Sequence, residues 1–469
     1  MKILLVAHGY PPELVGGTET SVEGLALGLV DAGHEVVVVA GSMKFEDGFR
    51  VSRAEHGGVH VVRIHRADLF FDHWQKSHAH DVSAAFAGVL AEERPDLVHV
   101  HHWIRLSDDL VACAARAGIP ACVTLHDLWT TCLIAFRVRP DTQAFCEVPL
   151  APSPCLACAA QVPPATPWLG QDAETATLER RRAALIGELT LARAVVAPTL
   201  AHARAVGRYL DLGADDVRLR VVPHGRDLTP RDLGAEQRTV LAPPGAGRPL
   251  VLGSWGHLHP LKGPDLLVEA VRRAGPGIEL HLAGGEVLPE FADELRRAAA
   301  GLAVTVHGAF RLEELGRHPV TAVHAFVSGS RAHESWGLVV DEARALGLPQ
   351  VLPARGAFPE RLREGAGATF YAPGDAEDLA RVLIALRDEP GRLDALERAA
   401  PPLGELVPGR RQHVEALLTV YDEVLAAGPP APPPASDAQA AHARRDAWDR
   451  ALASGGAPPP AAGPAHEDA

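Results

Sequence analysis

Two glutamates stand on either side of a predicted helix start in residues 328–350, SGSRAHESWGLVVDEARALGLPQ. Glu334 precedes the helix, which the apolar spacing predicts from Gly337, and Glu342 lies inside it on the packed side. Gly347 is placed to end the helix. The unpaired N–H groups of a helix's first turn bind anions, and carboxylates accept hydrogen bonds from hydroxyl groups. The stretch therefore favours a ligand that carries both phosphate and hydroxyl groups, such as a sugar nucleotide.

A cation follows the end of a predicted strand at 250–254, where the pair Lys262-Gly263 comes just before another predicted helix. Ligands of doubly wound sheets bind beyond the carboxyl ends of the strands, which is where Lys262 falls. His257 and His259 lie nearby in the chain. A neutral imidazole donates one hydrogen bond but lacks the fixed charge of a guanidinium. We therefore expect Lys262 to carry most of the positive charge here, with either histidine helping when it is protonated.

These motifs resemble those of family 4 retaining glycosyltransferases, enzymes with the two-domain GT-B fold. The segment HESWGLVVDE is similar to the family's pair of glutamates separated by seven residues. The loop HGYPPELVGGTE is similar to the family's Gly-Gly loop, although an ordinary strand–helix turn would also explain Gly16 and Gly17. The family's Lys-Gly pair is present at Lys262, but His257 stands where the family has Arg. The resemblance covers residues 1–426.

The resemblance implies transfer of a sugar from a nucleotide sugar with retention of anomeric configuration, and no divalent metal at the donor. Glu334 would hold hydroxyls of the transferred sugar, and Glu342 would accept from the ribose hydroxyls. Lys262 and the backbone N–H groups near Gly337 and Leu338 would stabilise the leaving diphosphate. No separate general base is implied. The acceptor would be a glycan, a lipid-linked glycan or a small molecule.

The implied site residues fall into two sets. The catalytic set is His126, Lys262 and Glu334. The donor-binding set is Gly16, Gly17, His257, His307, Gly308, Ala309, Ser335, Gly337, Leu338, Val339 and Glu342. In the second set, the segment VTVHGAF is similar to the family segment whose backbone holds the edge of the nucleobase.

His126 ends a predicted strand in the sequence ACVTLHDLW. A lone histidine at a strand end is more often structural, but family 4 members place a similar His-Asp pair there, with the histidine facing the reacting sugar. We expect Asp127 either to take part in acceptor binding or to cap the next segment. His99, His101 and His102 form another cluster that we expect to line the cleft, and a metal held by these histidines is disfavoured.

Four cysteines, Cys132, Cys146, Cys155 and Cys158, sit in a Pro-rich insertion after His126. A C-x2-C pair with two further cysteines suits a tetrahedral structural zinc site with four thiolate ligands. The two upstream gaps are irregular, so free thiols or a disulfide remain open as the second interpretation and an iron–sulfur cluster as the third. The other two cysteines are expected in the core. The run Arg180–Arg182 predicts a solvated helix face.

Composition narrows the class of protein. The chain has 469 residues, of which 47% are hydrophobic and 22% charged, as in globular proteins of two domains. Its formal net charge of −14 argues against a nucleic-acid partner, although a local basic face would still permit peripheral contact with a membrane surface. The opening apolar run is too short for a signal peptide or a spanning helix. We therefore expect a cytoplasmic protein, in peripheral contact with the inner membrane face at most.

Alternating strand and helix patterns predict an α/β protein of two Rossmann-like doubly wound domains that face each other across a cleft. Residues 1–240 form the acceptor-binding domain, with the cysteine-rich insertion at 130–170. Residues 248–404 form the nucleotide-sugar-binding domain, and residues 405–427 form a helix that crosses back to the first domain. Residues 428–469 are rich in Pro and Ala and predict a disordered tail.

Three other functions were weighed. A glycosyltransferase-like protein that binds nucleotide without catalysis is kept open by His257 in the Arg position. A nicotinamide-dependent oxidoreductase is disfavoured because the chain has no GxGxxG loop at its first strand. A glycosidase needs two carboxylates about 5 to 10 Å apart across a glycosidic bond, and two glutamates flanking an anion site do not suit that role.

Overall fold

The computed structural model describes residues 1–44, 48–68, 73–162, 170–213, 217–245, 247–389 and 391–433. The predicted tail lies outside the described residues from 434 onward, and the predicted insertion lies outside them at 163–169. No helix in the described ranges combines the length and the apolar character that crossing a bilayer requires.

The amino-terminal half is built on an eight-stranded sheet in the order β3-β4-β2-β1-β5-β6-β7-β8. Its strands are β1 (Lys2–Ala7), β2 (Glu35–Gly41), β3 (Arg50–His56), β4 (Val59–His65), β5 (Leu97–Val100), β6 (Ala121–Thr124), β7 (Ala194–Ala197) and β8 (Leu219–Val221). Its helices are α1 (Gly17–Asp31), α2 (His80–Glu93), α3 (Leu110–Arg116), α4 (Pro152–Ala159), α5 (Gln171–Leu191) and α6 (Leu200–Leu210). All neighbours pair in parallel except β3 with β4.

The carboxy-terminal half is built on a seven-stranded parallel sheet in the order β11-β10-β9-β12-β13-β15-β14. Its strands are β9 (Leu250–Trp255), β10 (Ile278–Ala283), β11 (Val304–Val306), β12 (Ala325–Val327), β13 (Gln350–Pro353), β14 (Arg363–Glu364) and β15 (Gly367–Tyr371). The helices are α7 (Pro264–Ala274), α8 (Pro289–Ala299), α9 (Leu338–Ala345), α10 (Phe358–Arg361), α11 (Ala376–Asp388), α12 (Arg392–Ala399), α13 (Leu403–Leu406) and α14 (Arg410–Ala427).

Both sheets are buried parallel sheets whose strands are short apolar runs, as in LLVA of β1 and VVVV of β2. In each half the strand order reverses direction around one central strand, β1 in the first sheet and β9 in the second. This order is the doubly wound topology that the sequence predicts. The two α/β domains are therefore confirmed as the fold class.

The sequence analysis did not find eight of these elements, namely β3, β14, β15, α2, α4, α10, α12 and α13. Three of them show the reasons. Strand β3, RVSRAEH, is mostly exposed at the sheet edge and contains no apolar run that would predict a strand. Helix α4 carries the C-x2-C pair and only one buried residue, so it lacks an amphipathic pattern. Helix α2 has the usual signal, since Val82, Phe86 and Val89 are buried along one face, and it was overlooked.

The expectation that Arg180–Arg182 form a solvated helix face is wrong for the middle residue. Arg181 is 1% exposed, its guanidinium lies 4.3 Å from the centre of the Trp129 ring, and its Nη2 donates to the Trp129 carbonyl at 2.8 Å. A guanidinium buries well when it stacks on an aromatic face. Adjacent residues of a helix point about 100° apart, so Arg181 can face the core while Arg180 and Arg182 point to either side of it.

Helix α14 returns from the second sheet to the first and packs along α1. Its apolar residues Val414, Leu417, Val420, Tyr421 and Val424 are buried in one cluster with residues of β1, β2 and α1. The close approach depends on Gly28 of α1, where an added Cβ would lie 2.7 Å from Val414 Cγ2 and 3.1 Å from Arg410 Cγ. The amino-terminal domain therefore includes the last helix of the chain in its core.

A pair of matched substitutions tests this packing. We expect Gly28→Val to lower the free energy of unfolding by about 1–3 kcal/mol more than Gly24→Val, because only Gly28 has no room for a side chain. Gly24 lies on the same helix with no atom within 4 Å of an added Cβ, so the helix-propensity cost is shared. Thermal unfolding of both variants measures the difference, and equal melting temperatures would contradict the packing.

Candidate active site

The predicted catalytic and binding residues lie where the carboxyl ends of the strands of the two sheets meet. β1 lies between β2 and β5, and β9 lies between β10 and β12. Chain segments leave these central strands in opposite directions, which opens a crevice at their carboxyl ends where ligands of such sheets bind. Gly16 and Gly17 follow β1, and Lys262 follows β9. The topology therefore explains why residues far apart in sequence converge.

Lys262 is carried into this crevice by a contact between two glycines. Gly263 has φ +61°, and a Cβ added there would lie 2.0 Å from the carbonyl oxygen of Gly329. The backbone conformation favours glycine, and the close approach leaves no room for any side chain. The backbone N–H of Arg331 donates to the Leu261 carbonyl at 2.9 Å, which ties the same two loops together.

An ion pair joins the two predicted motifs. Lys262 Nζ donates to Glu334 Oε1 at 2.7 Å, and Ser330 Oγ donates to the same oxygen at 2.7 Å. Burial alone would raise the pKa of Glu334, but the Lys262 ammonium and these hydrogen bonds outweigh it and lower the pKa. The side chain of Lys262 is 47% exposed and that of Glu334 is 17% exposed. A ligand in the crevice can thus reach an ionised carboxylate and an accessible ammonium side by side.

Helix α9 starts beside this ion pair, as the sequence predicts. Gly337 precedes it with φ +85° and, as a glycine, provides no side-chain cap for the N–H groups of the first turn. Trp336 Nε1 donates to Asp341 Oδ2 at 2.9 Å, Arg361 pairs with Asp341, and the Arg361 guanidinium lies 3.6 Å from the centre of the Trp336 ring. The turn is thereby held rigid, with the helix amino end available to an anion.

The two domains touch directly at this point. Ser335 Oγ donates to the His126 carbonyl at 2.5 Å, and Thr199 Oγ1 donates to the Ser335 carbonyl at 3.1 Å. Gly17, the first residue of α1, faces Leu338, whose Cδ1 lies 3.9 Å from the position of an added Cβ. The structure therefore brings together Gly17, His126, Ser335 and Leu338, which the sequence analysis assigned to one site.

Glu342 is placed differently from Glu334. It is 8% exposed, and it accepts hydrogen bonds from Arg226 Nη1 and Trp255 Nε1, each at 3.0 Å. Burial raises its pKa in spite of these two partners. The sequence analysis expected ribose hydroxyls as donors to this carboxylate and foresaw neither protein partner.

The two histidines near Lys262 have separate surroundings. His259 Nδ1 accepts from the Leu261 N–H at 3.1 Å and so caps the short turn that carries Lys262. His257 is exposed, and its Nδ1 lies 3.5 Å from the position of an added Cβ on Gly285. Burial, followed by the nearby charges of His257 and Lys262, lowers the pKa of His259. His257 is therefore the more accessible of the two.

The predicted nucleobase segment lies at the end of β11. The His307 N–H donates to the Leu282 carbonyl at 2.7 Å, and the Gly308 carbonyl accepts from the Gly284 N–H at 3.2 Å. The His307 ring stacks on His281, with Nε2 2.9 Å from His281 Nδ1. Gly308 and Ala309 are exposed. Part of the backbone that was expected to hold a base is thus already bonded within the sheet.

His126 belongs to a buried row of histidines in the first domain. Its Nε2 lies 2.9 Å from His101 Nδ1, and its ring stacks on His224 at 5.1 Å between centroids. Burial, with the positive charge that each neighbour would carry, holds the pKa values of His126 and His101 well below the usual range. Since one nitrogen of this pair must donate and the other accept, the two rings fix each other's tautomers.

The row of polar side chains continues beyond His126 with Asp127, His102, His8 and Glu19. Asp127 Oδ1 accepts from the Trp129 N–H at 2.8 Å, which is the capping role that the sequence analysis left open. Burial would raise the pKa of Asp127, but the neighbouring His102 and this hydrogen bond lower it to about 2. His8 Nε2 pairs with Glu19 at 2.8 Å, and the His8 ring lies 4.4 Å from that of His102.

His8, Glu19, Arg226 and Trp255 are the site residues that the sequence analysis missed. His8 directly follows β1, so its position at the carboxyl end of the central strand was a usable signal. Glu19 lies in the first turn of α1 and is 3% exposed, and nothing in its sequence context distinguishes it from an ordinary first-turn acid. The contact of Arg226 with Glu342 depends on how the two halves fold against each other.

Two family models match this chain, one in each half. The family model described as Glycosyltransferase Family 4 matches residues 15–230, and the model described as Glycosyl transferases group 1 matches residues 249–389. The two matches fall on the first and second sheets. The chain belongs to glycosyltransferase family 4.

Relatives of this glycosyltransferase carry a consistent name. A D-inositol 3-phosphate glycosyltransferase of Thermomonospora curvata is 29% identical over 374 residues, which cover 73% of this chain and 76% of the relative. A protein of the same name from Geodermatophilus obscurus is 34% identical over 225 residues, covering 44% of this chain and 48% of that protein.

Solved structures show that the fold is GT-B. Sucrose-phosphate synthase from Thermosynechococcus elongatus superposes with a TM-score of 0.63 at 18% identity, covering 91% of this chain and 99% of that one. The HepE protein of Anabaena in complex with UDP-glucose superposes with a TM-score of 0.59 at 17% identity, covering 90% of this chain and 99% of that one.

His99 belongs to the same row but lies in the core, away from the crevice. It is fully buried, with Nδ1 2.7 Å from the Tyr421 hydroxyl of α14 and Nε2 2.7 Å from Thr124 Oγ1. Burial lowers its pKa from 6.5 to about 3. Since the unfolded chain binds this proton at higher pH than the folded enzyme, acid favours unfolding.

The glycosyltransferase should therefore lose stability below neutral pH through His99. Between about pH 7 and about pH 5, we expect wild type to lose about 2 kcal/mol more unfolding free energy than His99→Gln, which has no proton to bind there. Denaturant unfolding at both pH values measures the difference. Identical pH dependence in the two proteins would show that His99 is not held neutral.

Proposed function

We propose that the protein is a retaining glycosyltransferase that moves a hexose-type sugar from a UDP- or GDP-sugar to an acceptor. The observation that carries the proposal is the 2.7 Å contact between Lys262 and Glu334 beside the amino end of α9. A sugar nucleotide presents hydroxyls to a carboxylate and a diphosphate to a cation and a helix amino end. The carboxylate of Glu334, the ammonium of Lys262 and the amino end of α9 lie next to one another.

Lys262 and the first turn of α9 would stabilise the leaving diphosphate. Negative charge builds on the diphosphate as the bond to the sugar breaks, and fixed donors that already point at it lower the barrier without reorganising. The N–H groups near Gly337, Leu338 and Val339 supply the fixed dipoles, and Lys262 supplies a full charge. His257, in the position of the family's Arg, is exposed and can add a hydrogen bond or, when protonated, a second charge.

Glu334 would hold hydroxyls of the transferred sugar. Its lowered pKa keeps it ionised and thus a strong acceptor. In the closed pair with Lys262, each side chain orients the other before the donor arrives. When the diphosphate enters, Lys262 gains a second anionic partner while the carboxylate turns its remaining lone pairs to the sugar.

Glu342 would accept from the ribose hydroxyls with the lone pairs that Arg226 and Trp255 leave unused. A carboxylate has about four such sites, of which the two protein donors occupy two. The neutral backbone groups of His307, Gly308 and Ala309 would contact the base. Gly16 and Gly17, without side chains, let the first domain close over the donor.

His126 would face the reacting sugar as a neutral hydrogen-bonding group. The buried row behind it keeps it uncharged, so it can touch the sugar without repelling the positive charge that develops there. Its bond to His101 determines which nitrogen carries hydrogen. The proton of the acceptor would leave with the departing phosphate oxygen on the same face of the sugar, which is consistent with retention and requires no separate base.

The acceptor would be a glycan, a lipid-linked glycan or a small molecule. The relatives named for D-inositol 3-phosphate and the structural neighbours named for sucrose phosphate and trehalose phosphate support the small-molecule class. No disulfide joins any of the six cysteines, all of which lie in the described residues, and this suits a cytoplasmic enzyme. A lipid-linked acceptor would bring that enzyme to the inner membrane face.

Substitutions at the ion pair test the proposed mechanism. We expect Lys262→Ala and Glu334→Ala each to lower turnover at least about 100-fold, because each removes one preorganised group that interacts with the transition state. Lys2→Ala serves as the matched control, since Lys2 pairs with Glu35 and Glu93 at the amino end of β1, whereas the crevice lies at the carboxyl ends of the strands. Turnover in Lys262→Ala equal to that of the control would contradict the mechanism.

A donor panel tests the reaction itself. Purified protein offered UDP- and GDP-sugars with small-molecule and lipid-linked acceptors should release nucleoside diphosphate from one donor. Proton NMR of the product should show the anomeric configuration of the donor. Binding of a donor without release across the panel would favour the nucleotide-binding alternative, and an inverted product would disprove retention.

A further inference from the structure

Four cysteines of the insertion after His126 line one cavity. Cys132, Cys146, Cys155 and Cys158 all border a space of 430 Å³, which includes the part open to solvent. Cysteines 132 and 146 lie far from the C-x2-C pair in sequence, so folding alone brings the four together. No other cysteine of the chain reaches this cavity, since Cys113 and Cys122 are buried in the first domain.

Three local structures position the four side chains. Cys132 follows a short 3-10 turn, and its backbone carbonyl accepts from the Ala135 N–H at 3.3 Å. An antiparallel bridge between Val138 and Phe145 then turns the chain back and returns Cys146 to the cavity. Cys155 and Cys158 come from one turn of α4 and therefore share one face of that helix.

Cations surround the cavity. Arg137 Nη2 lies 3.9 Å from Cys146 Sγ, and Arg139 also borders the space. Arg181 is 1% exposed and has two guanidinium nitrogens, Nε and Nη1, without a hydrogen-bond partner among the described residues. Negative charge on Asp108 and on Cys132 acts on this buried guanidinium, so a thiolate at Cys132 would have a cation nearby. Four thiolates around a divalent ion leave a net negative charge.

We propose that Cys132, Cys146, Cys155 and Cys158 bind one structural zinc ion through four thiolates. Each thiol releases its proton to solvent as its sulfur bonds to the ion, and no electrons are transferred. Four soft sulfur ligands in a closed set, with a C-x2-C pair among them, are the ligands that structural zinc takes. The guanidinium groups of Arg137 and Arg139 border the cavity and favour negative charge on the sulfurs that the ion requires.

Binding must also draw the sulfurs together. In the described part of the chain, no three of these sulfurs lie within 4.8 Å of one another. Zinc–sulfur bonds of about 2.3 Å bring tetrahedral ligands to a separation of roughly 3.8 Å. The segments that carry the four sulfurs therefore move closer together when zinc binds, and metal binding is coupled to that rearrangement.

The hairpin links this centre to the crevice. Phe145 lies at its end, 6.3 Å between centroids from the ring of His333 and 4.6 Å from the Arg355 guanidinium of the second domain. His333 directly precedes Glu334, and Arg355 Nη1 donates to the Arg331 carbonyl at 3.2 Å. Zinc would thus fix a hairpin that packs beside the proposed donor site, while the zinc content itself does not depend on the proposed function.

Metal analysis of protein purified under reducing conditions tests the centre. We expect about one equivalent of zinc per chain in wild type and less than about half an equivalent in the double variant Cys155→Ser/Cys158→Ser. The matched control is Cys122→Ala, which removes a buried thiol from β6 and should keep its zinc. Zinc-free wild type, or equal zinc in the double variant, would overturn the proposal.

Two measurements on wild type cover the case in which the double variant fails to fold. Cobalt(II) substitution should give the intense visible bands of a tetrahedral ion and the near-ultraviolet absorption of sulfur-to-metal charge transfer. Chelation should expose residues 133–150 to limited proteolysis, and added zinc should restore protection. Iron with inorganic sulfide in place of zinc, or disulfides among these cysteines in freshly reduced protein, would overturn the assignment to zinc.

Discussion

The ion pair between Lys262 and Glu334 is the contact on which the candidate site depends. Its partners come from two loops of the second domain, and the loops meet because Gly263 and Gly329 touch backbone to backbone. A side chain on either glycine would force the loops apart and separate the ammonium from the carboxylate. The same contact sets the distance of Lys262 from the start of α9. An ammonium and an ionised carboxylate are thereby held in one arrangement, in which they would meet the diphosphate and the sugar of the proposed donor.

The first domain contributes uncharged polar groups to the candidate site, and the second domain contributes the charged groups. His126 and His101 are buried among other imidazoles and stay uncharged, whereas Glu334 stays ionised with Lys262 beside it. This division suits a reaction in which negative charge leaves on the nucleotide side and the sugar becomes electron-poor. Ser335 of the second domain makes two bonds to the first domain, one from its hydroxyl to the His126 carbonyl and one from Thr199 Oγ1 to its own carbonyl, so the contact between the domains is part of the site.

Much of the fold could be predicted because parallel strands in this family are short apolar runs between amphipathic helices. The sequence predicts a helix directly after Lys262-Gly263, where the structure has α7, and a helix that ends at Gly347, where the structure has α9. Strand β3 could not be found, since an exposed edge strand has no buried face to leave a pattern. Motifs placed Lys262, Glu334 and His126 at one crevice, because each follows a parallel strand. The partners of Glu342 could not be predicted from the sequence, since Arg226 and Trp255 contact it only through tertiary packing.

The most direct measurement of the central claim is a crystal structure of the protein with a nucleoside diphosphate or an unreacted nucleotide sugar. The account predicts diphosphate oxygens within about 2.7–3.2 Å of Lys262 Nζ and of a backbone N–H in the first turn of α9, with the sugar against Glu334. A diphosphate bound at another cavity, with Lys262 and Glu334 still paired only to each other, would contradict it.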